Sequence, residues 1–183
     1  WDSTSSATAD GGAVLIPDSS PAIERWITTW LEVTPQMYGS CAVSSAANTT
    51  AAIQAAINSG RNVYLPRGDY EIGGDGLTFT SANNSQTIRG SGPNTVLWRR
   101  TDYAKGVIAT FSSSANRVVL RDLYIRYPQS GALPTAVPTS DFHMFVFDGC
   151  TDIQVLNIEV IGCFGVASYG LTTTTSRCYL RQL

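Results

Sequence analysis

The 183-residue sequence is short of charge. Charged residues make up 14% of it, against about 25% in an average soluble domain, and lysine is almost absent. Hydrophobic residues at 43% beside so little charge exclude intrinsic disorder, which needs the reverse balance. A net charge of −2 argues against a nucleic-acid partner, because such binders carry a basic face. No apolar run approaches the roughly 18 residues of a membrane span, so no membrane insertion is expected, and no signal peptide opens the chain. Histidine occurs once, at His143, and the four cysteines, Cys41, Cys150, Cys163 and Cys178, form no Cys-x-x-Cys pair. Zinc needs closer ligands, so neither a metal nor another cofactor is expected. The cysteines read as buried free thiols or as disulfides, and both readings stay open.

What remains is rich in Gly, Ser, Thr, Asn and β-branched residues, the balance of many short strands joined by turns. Residues 1–36 read as a linker or neck with small β elements: Ala13-Val-Leu-Ile16 ends at Pro17, and Trp26-Ile-Thr-Thr-Trp-Leu-Glu-Val33 is rich in β-formers. Residues 37–183 read as one domain. It opens on a helix, Asn48-Thr-Thr-Ala-Ala-Ile-Gln-Ala-Ala-Ile-Asn-Ser-Gly60. Asn48 or Thr49 serves as its capping residue, Ala52, Ile53, Ala56 and Ile57 form one apolar face, and Gly60 stands at its end. Strands follow: Val63-Tyr-Leu65, Tyr70-Glu-Ile72, Leu77-Thr-Phe-Thr80, Thr87-Ile-Arg89, Val96-Leu-Trp98, Val107-Ile-Ala-Thr-Phe111 and Val118-Val-Leu120.

Internal repeats separate a sandwich from a solenoid. Arg117 to Arg126 lies over Asp152 to Ile161 at an offset of 35, with Val118 on Ile153, Leu120 on Val155, Leu123 on Ile158, Ile125 on Val160 and Asp122 on Asn157. Arg177 to Leu183 lies over Asp152 to Ile158 at an offset of 25, and Gln86 to Gly90 falls on Val118 to Asp122 at 32. Inward positions stay apolar while Gly90, Asp122, Asn157 and Gln182 share a turn position. A coil of about 25 residues, lengthened at its turns, is the signature of a parallel β-helix. The proline-rich stretch from Pro128 to Asp141 reads as an excursion from the wall, of the kind that rims a binding groove.

Asn48 to Ile57, followed by Asn62-Val-Tyr-Leu-Pro-Arg-Gly-Asp-Tyr-Glu-Ile72 and Thr87-Ile-Arg-Gly-Ser-Gly92, resembles the opening of pectate-lyase-like right-handed β-helices. The resemblance implies an all-β, right-handed parallel β-helix (a solenoid) with an N-terminal capping α-helix. Trp1-Asp-Ser-Thr-Ser-Ser-Ala-Thr-Ala-Asp-Gly-Gly12, with Arg25-Trp26 downstream, is similar to the segment before the β-helix in bacteriophage tail spikes. Cys41 to Ala47 lacks the acidic residues usual at that place in the family. This second likeness implies a homotrimeric spike on the virion tail, joined to the tail or an adaptor through a preceding part. Such a spike recognises a bacterial surface polysaccharide, capsule or O-antigen, and often depolymerises it during host attachment. A binding-only spike and a secreted, calcium-dependent polysaccharide lyase are the alternatives. Leu183 still lies in coil register, so the chain is expected to be the first part of a longer spike, or to have its open end covered by a partner.

Cleaving a glycan by hydrolysis takes two carboxylates; elimination takes a base and a cation. If Leu123 and Ile125 point inward, Tyr124 and Arg126 point outward, and the coil register sets Glu159 beside Tyr124 and Ile161 beside Arg126. Glu159 and Asp148 are the candidate catalytic carboxylates, although Asp148-Gly149 also reads as a turn. Tyr124, Arg126, Trp98 and His143 are the candidate substrate-binding residues, Trp98 standing in the aromatic and basic run Trp98-Arg-Arg100. The bland alternative for Arg126 and Glu159 is a solvated ion pair worth about 0–1 kcal/mol. Asp122 and Asn157 read as turn residues whose side chains bond local backbone.

Overall fold

The computed structural model describes residues 14–15, 26–27, 32–41, 46–99, 107–112, 114–126, 144–161, 169–171 and 179–181. The strands are β1 (Val14–Leu15), β2 (Trp26–Ile27), β3 (Glu32–Val33), β4 (Asn62–Tyr64), β5 (Gly68–Glu71), β6 (Leu77–Phe79), β7 (Thr87–Arg89), β8 (Thr95–Trp98), β9 (Ala109–Phe111), β10 (Val119–Arg126), β11 (Phe145–Phe147), β12 (Gln154–Ile161), β13 (Tyr169–Leu171) and β14 (Tyr179–Arg181). The α-helix among the described residues is α1 (Ala46–Asn58). Strands β1 and β2 form an antiparallel pair of their own.

The remaining strands stack in parallel as three walls. The first wall runs β3, β4, β7, the first half of β10, the first half of β12, β14. The second runs β5, β8 and the second halves of β10 and β12. The third runs β6, β9, β11, β13. The pairs Thr87↔Val119, Leu120↔Val155 and Val155↔Leu180 reproduce the offsets of 32, 35 and 25 residues read from the sequence. The fold is therefore all-β and solenoid-like: each coil contributes one short strand to each wall, and the next coil lies on top of it.

The long strands β10 and β12 serve two walls because each is bent at a left-handed residue, Asp122 (φ 58°) and Asn157 (φ 50°). A second set of left-handed positions, Ser85, Arg117 and Asp152, marks the entry to the first wall in successive coils. Asn157 does not bond its own backbone, as its turn position suggested. Its Nδ2 donates to Asp122 Oδ1 of the coil below at 2.7 Å, so the corner is tied between coils. Asn and Asp tolerate the left-handed region better than other residues with a side chain. Asn157→Ala is accordingly expected to cost about 1–2 kcal/mol, combining backbone strain with the lost hydrogen bond. Thermal unfolding of the variant beside Asn157→Gly, which keeps the backbone but not the bond, separates the two parts.

Helix α1 buries Ala52, Ile53, Ala56 and Ile57, the face expected from the sequence, against β4, β5 and β6. It begins at Ala46, so Asn48 and Thr49 lie inside its first turn rather than at its cap; the alanines before them favour helix and supply no stop. At its other end Gly60 takes φ 72°, which frees the chain to turn into β4. The carbonyl of Ile57 accepts from two buried amides, Asn83 Nδ2 at 2.8 Å and Gln86 Nε2 at 2.9 Å. Inside the coils Phe79, Phe111 and Phe147 stack in successive strands of the third wall, with centroids 4.9 and 5.2 Å apart.

Cys41 and Cys150 are free thiols; Cys163 and Cys178 lie outside the described residues. Burial pushes the Cys41 thiol above its ordinary pKa. The fold therefore prefers the protonated form, and the stability this contributes is present below the unfolded pKa and lost as pH rises towards the folded one. Iodoacetamide at pH 8 is expected to label Cys41 more slowly in the folded protein than in urea, as mass spectrometry of the peptide would show; equal rates would contradict it.

Candidate functional site on the second wall

Along the second wall, side chains alternate between the core and the outside. Tyr70, Leu97 and Ile125 occupy one register row and point into the core, where all three are buried. The rows on either side face outward. One is Asp69, Val96, Tyr124, Glu159; the other is Glu71, Trp98, Arg126, of which Glu71 is itself buried. Neighbouring members stand about 4.8 Å apart at the backbone. The backbone ladder continues beyond the strand ends through Ile72 N–H to Trp98 O at 2.8 Å and Arg99 N–H to Arg126 O at 3.2 Å.

Trp98, Tyr124, Arg126 and Glu159 thus share one outward face, as the sequence register set Tyr124 beside Glu159. Arg126 does not pair with Glu159. Its Nη2 lies 3.6 Å from Asp69 Oδ2, both side chains nearly half exposed, an ion pair worth about 0–1 kcal/mol. Asp69 had no signal in the repeats compared, because β5 aligns with β8 through only Tyr70 on Leu97 as an inward apolar pair. Trp98 Nε1 and Arg126 Nε, on neighbouring strands in the same row, are shielded from solvent and have no hydrogen-bond partner among the described residues.

A crevice of about 50 Å³ opens at the corner of this wall, lined by Gly92, Pro93, Leu123, Asn157 and Glu159. A wider groove of about 360 Å³ runs between α1 and residues 73–76, lined by Thr50, Ala51, Gln54, Gly73, Gly74 and Asp75, among others. The floor of that loop is held by Arg99, which is fully buried and donates to the carbonyls of Ile72 at 3.3 Å, Gly73 at 3.5 Å and Gly74.

Asp148 stands elsewhere. It is exposed in the corner after β11, ahead of Gly149 at φ 67°, and its backbone N–H donates to Phe111 O at 2.8 Å. That is a turn between the third and first walls, and it does not bring Asp148 to Glu159 on the second. His143 and Arg100 lie outside the described residues. On the first wall, Arg89 stacks over Tyr64 at 4.3 Å and makes a two-point contact with Glu32 at 2.8 and 2.6 Å. The Glu32 carboxylate holds its guanidinium above the ordinary pKa. Among the described residues no group of three or more His, Cys, Asp or Glu is placed to hold a metal ion, and no helix is long and apolar enough to cross a membrane.

No protein-family model matches the sequence, and no curated protein matches it. Among solved structures, the chain is similar to the enzymatically active domain of tailspike protein 2 of bacteriophage CBA120. The TM-score is 0.53 and the sequence identity 14%, over 84% of this chain and 27% of that one. The chain spans about a quarter of that protein's length, and the likeness is one of fold.

Proposed function

We propose that the chain is part of a bacteriophage tail spike that recognises a bacterial surface polysaccharide, capsule or O-antigen, and degrades it during host attachment. The observation that carries this reading is the outward face of the second wall, where Trp98, Tyr124, Arg126 and Glu159 stand in adjoining register positions. Aromatic rings stack on the apolar faces of sugars, and charged groups bind their hydroxyls. The solenoid-like fold and its likeness to a tailspike enzymatic domain support it. In this reading the stack is a right-handed β-helix, α1 covers its first coil, three copies assemble side by side, and the spike is carried on the virion tail.

The experiment is incubation of the purified protein with a panel of capsular and O-antigen polysaccharides, followed by chromatography of the products. Shorter oligosaccharides are expected from one of them, and Glu159→Gln is expected to lower their release by about 100-fold or more while the polymer is still bound. Undiminished release removes Glu159 from the chemistry. A binding-only spike is the second reading, favoured by the placement of Asp148 and Glu159 on different edges; polymer bound but unchanged in length supports it.

A further inference from the structure

We infer that the second wall takes an uncharged stretch of glycan, hexose or N-acetylhexosamine without carboxylate, phosphate or sulfate; this rests on the polysaccharide reading and narrows it. Among the described residues, the outward rows of this wall carry two solvent-accessible carboxylates, Asp69 and Glu159, against one guanidinium, Arg126. That guanidinium is compensated by Asp69. Glu71 is buried at 5% exposure and has partners of its own. Glu159 is exposed and has no ion-pair partner among the described residues. A sugar carboxylate laid on this face gives up water and meets a like charge, with the wall's one described cation already engaged.

A neutral sugar meets complementary groups. Trp98 and Tyr124 offer rings for its apolar face. The carboxylate oxygens of Asp69 and Glu159 accept from its hydroxyls. Such a substrate also decides the reaction. Elimination removes a proton from a carbon beside a carboxylate, which a neutral sugar does not have. Cleavage here is therefore hydrolysis: the glycosidic C–O bond breaks, the hydroxyl of water bonds to the anomeric carbon, and a proton goes to the leaving oxygen.

The test uses a panel of purified capsular and O-antigen polysaccharides, neutral and uronate-bearing. Each acidic member is also presented after its carboxyl groups have been reduced to primary alcohols. Binding is expected to neutral members, or to acidic ones only after reduction, and to change little from about 0.05 to about 0.5 M salt, a range over which charge screening becomes strong. An acidic polymer bound in native form and lost on reduction overturns the inference while leaving the polysaccharide reading intact. A panel with no ligand at all overturns both.

Discussion

Phe111→Ala is expected to remove about 3–5 kcal/mol of stability, the range for a large aromatic truncated in a closed core. Phe111 is the middle ring of three, with Phe79 and Phe147 at 4.9 and 5.2 Å and near-parallel planes, and all three are buried to 1% exposure or less. Removing it opens a void bounded above and below by rings fixed to their own strands. Each of those strands is hydrogen-bonded to β9, so neither can move in to fill the gap without breaking register. In a solenoid each coil is held by its two neighbours, and this one substitution weakens both interfaces. Urea denaturation followed by circular dichroism gives the measurement. Val146→Ala on the outward side of β11 serves as control and is expected to stay within about 1 kcal/mol. A loss below 1 kcal/mol in Phe111→Ala would show that the ring stack does not hold the third wall.

Gly90→Ala is expected to cost about 3 kcal/mol, the upper part of the range for overpacking. A Cβ there would lie 2.5 Å from Asp122 O, 2.6 Å from Leu123 Cδ2 and 2.8 Å from Thr95 Cβ. The nearest of these is backbone, and it cannot step aside. It belongs to the residue whose left-handed turn divides β10 between two walls, and the N–H of Gly90 is already bonded to Arg121 O at 3.1 Å. Accommodation would push the Asp122 corner outward and pull Tyr124 away from Glu159. A fall in melting temperature together with weakened glycan binding is therefore expected. A melt equal to wild type would mean that the corner is looser than its packing indicates.

The register of the coils was legible in the sequence because inward residues alternate with outward ones on each side of the bends at Asp122 and Asn157. Val118 on Ile153 and Leu123 on Ile158 fix the phase, and Tyr124 beside Glu159 follows from it. The phenylalanine stack escaped notice although its members lie 32 and 36 residues apart. Each sits in a strand of three residues, too short for a pattern. Asp69 escaped for a related reason: its strand starts at a glycine and offers one inward side chain to align. The helix was legible by its apolar face but not by its start, since the alanines before Asn48 carry no stop signal. Asp148 and Glu159 are close in sequence, but the corner after β11, the first-wall half of β12 and the bend at Asn157 separate them in space. Spacing along a solenoid chain measures arc around a coil, and eleven residues are enough to reach another wall.

The three walls have a mechanical consequence. Their hydrogen bonds run from coil to coil, along the direction in which the phenylalanine rings are stacked. Compression along that axis must shorten contacts between rings already touching, so the stack resists being pushed. Tension along the same axis opens one interface at a time, starting where a coil has a neighbour on one side only. A molecule built this way transmits thrust as a stiff rod and gives way to pulling by peeling.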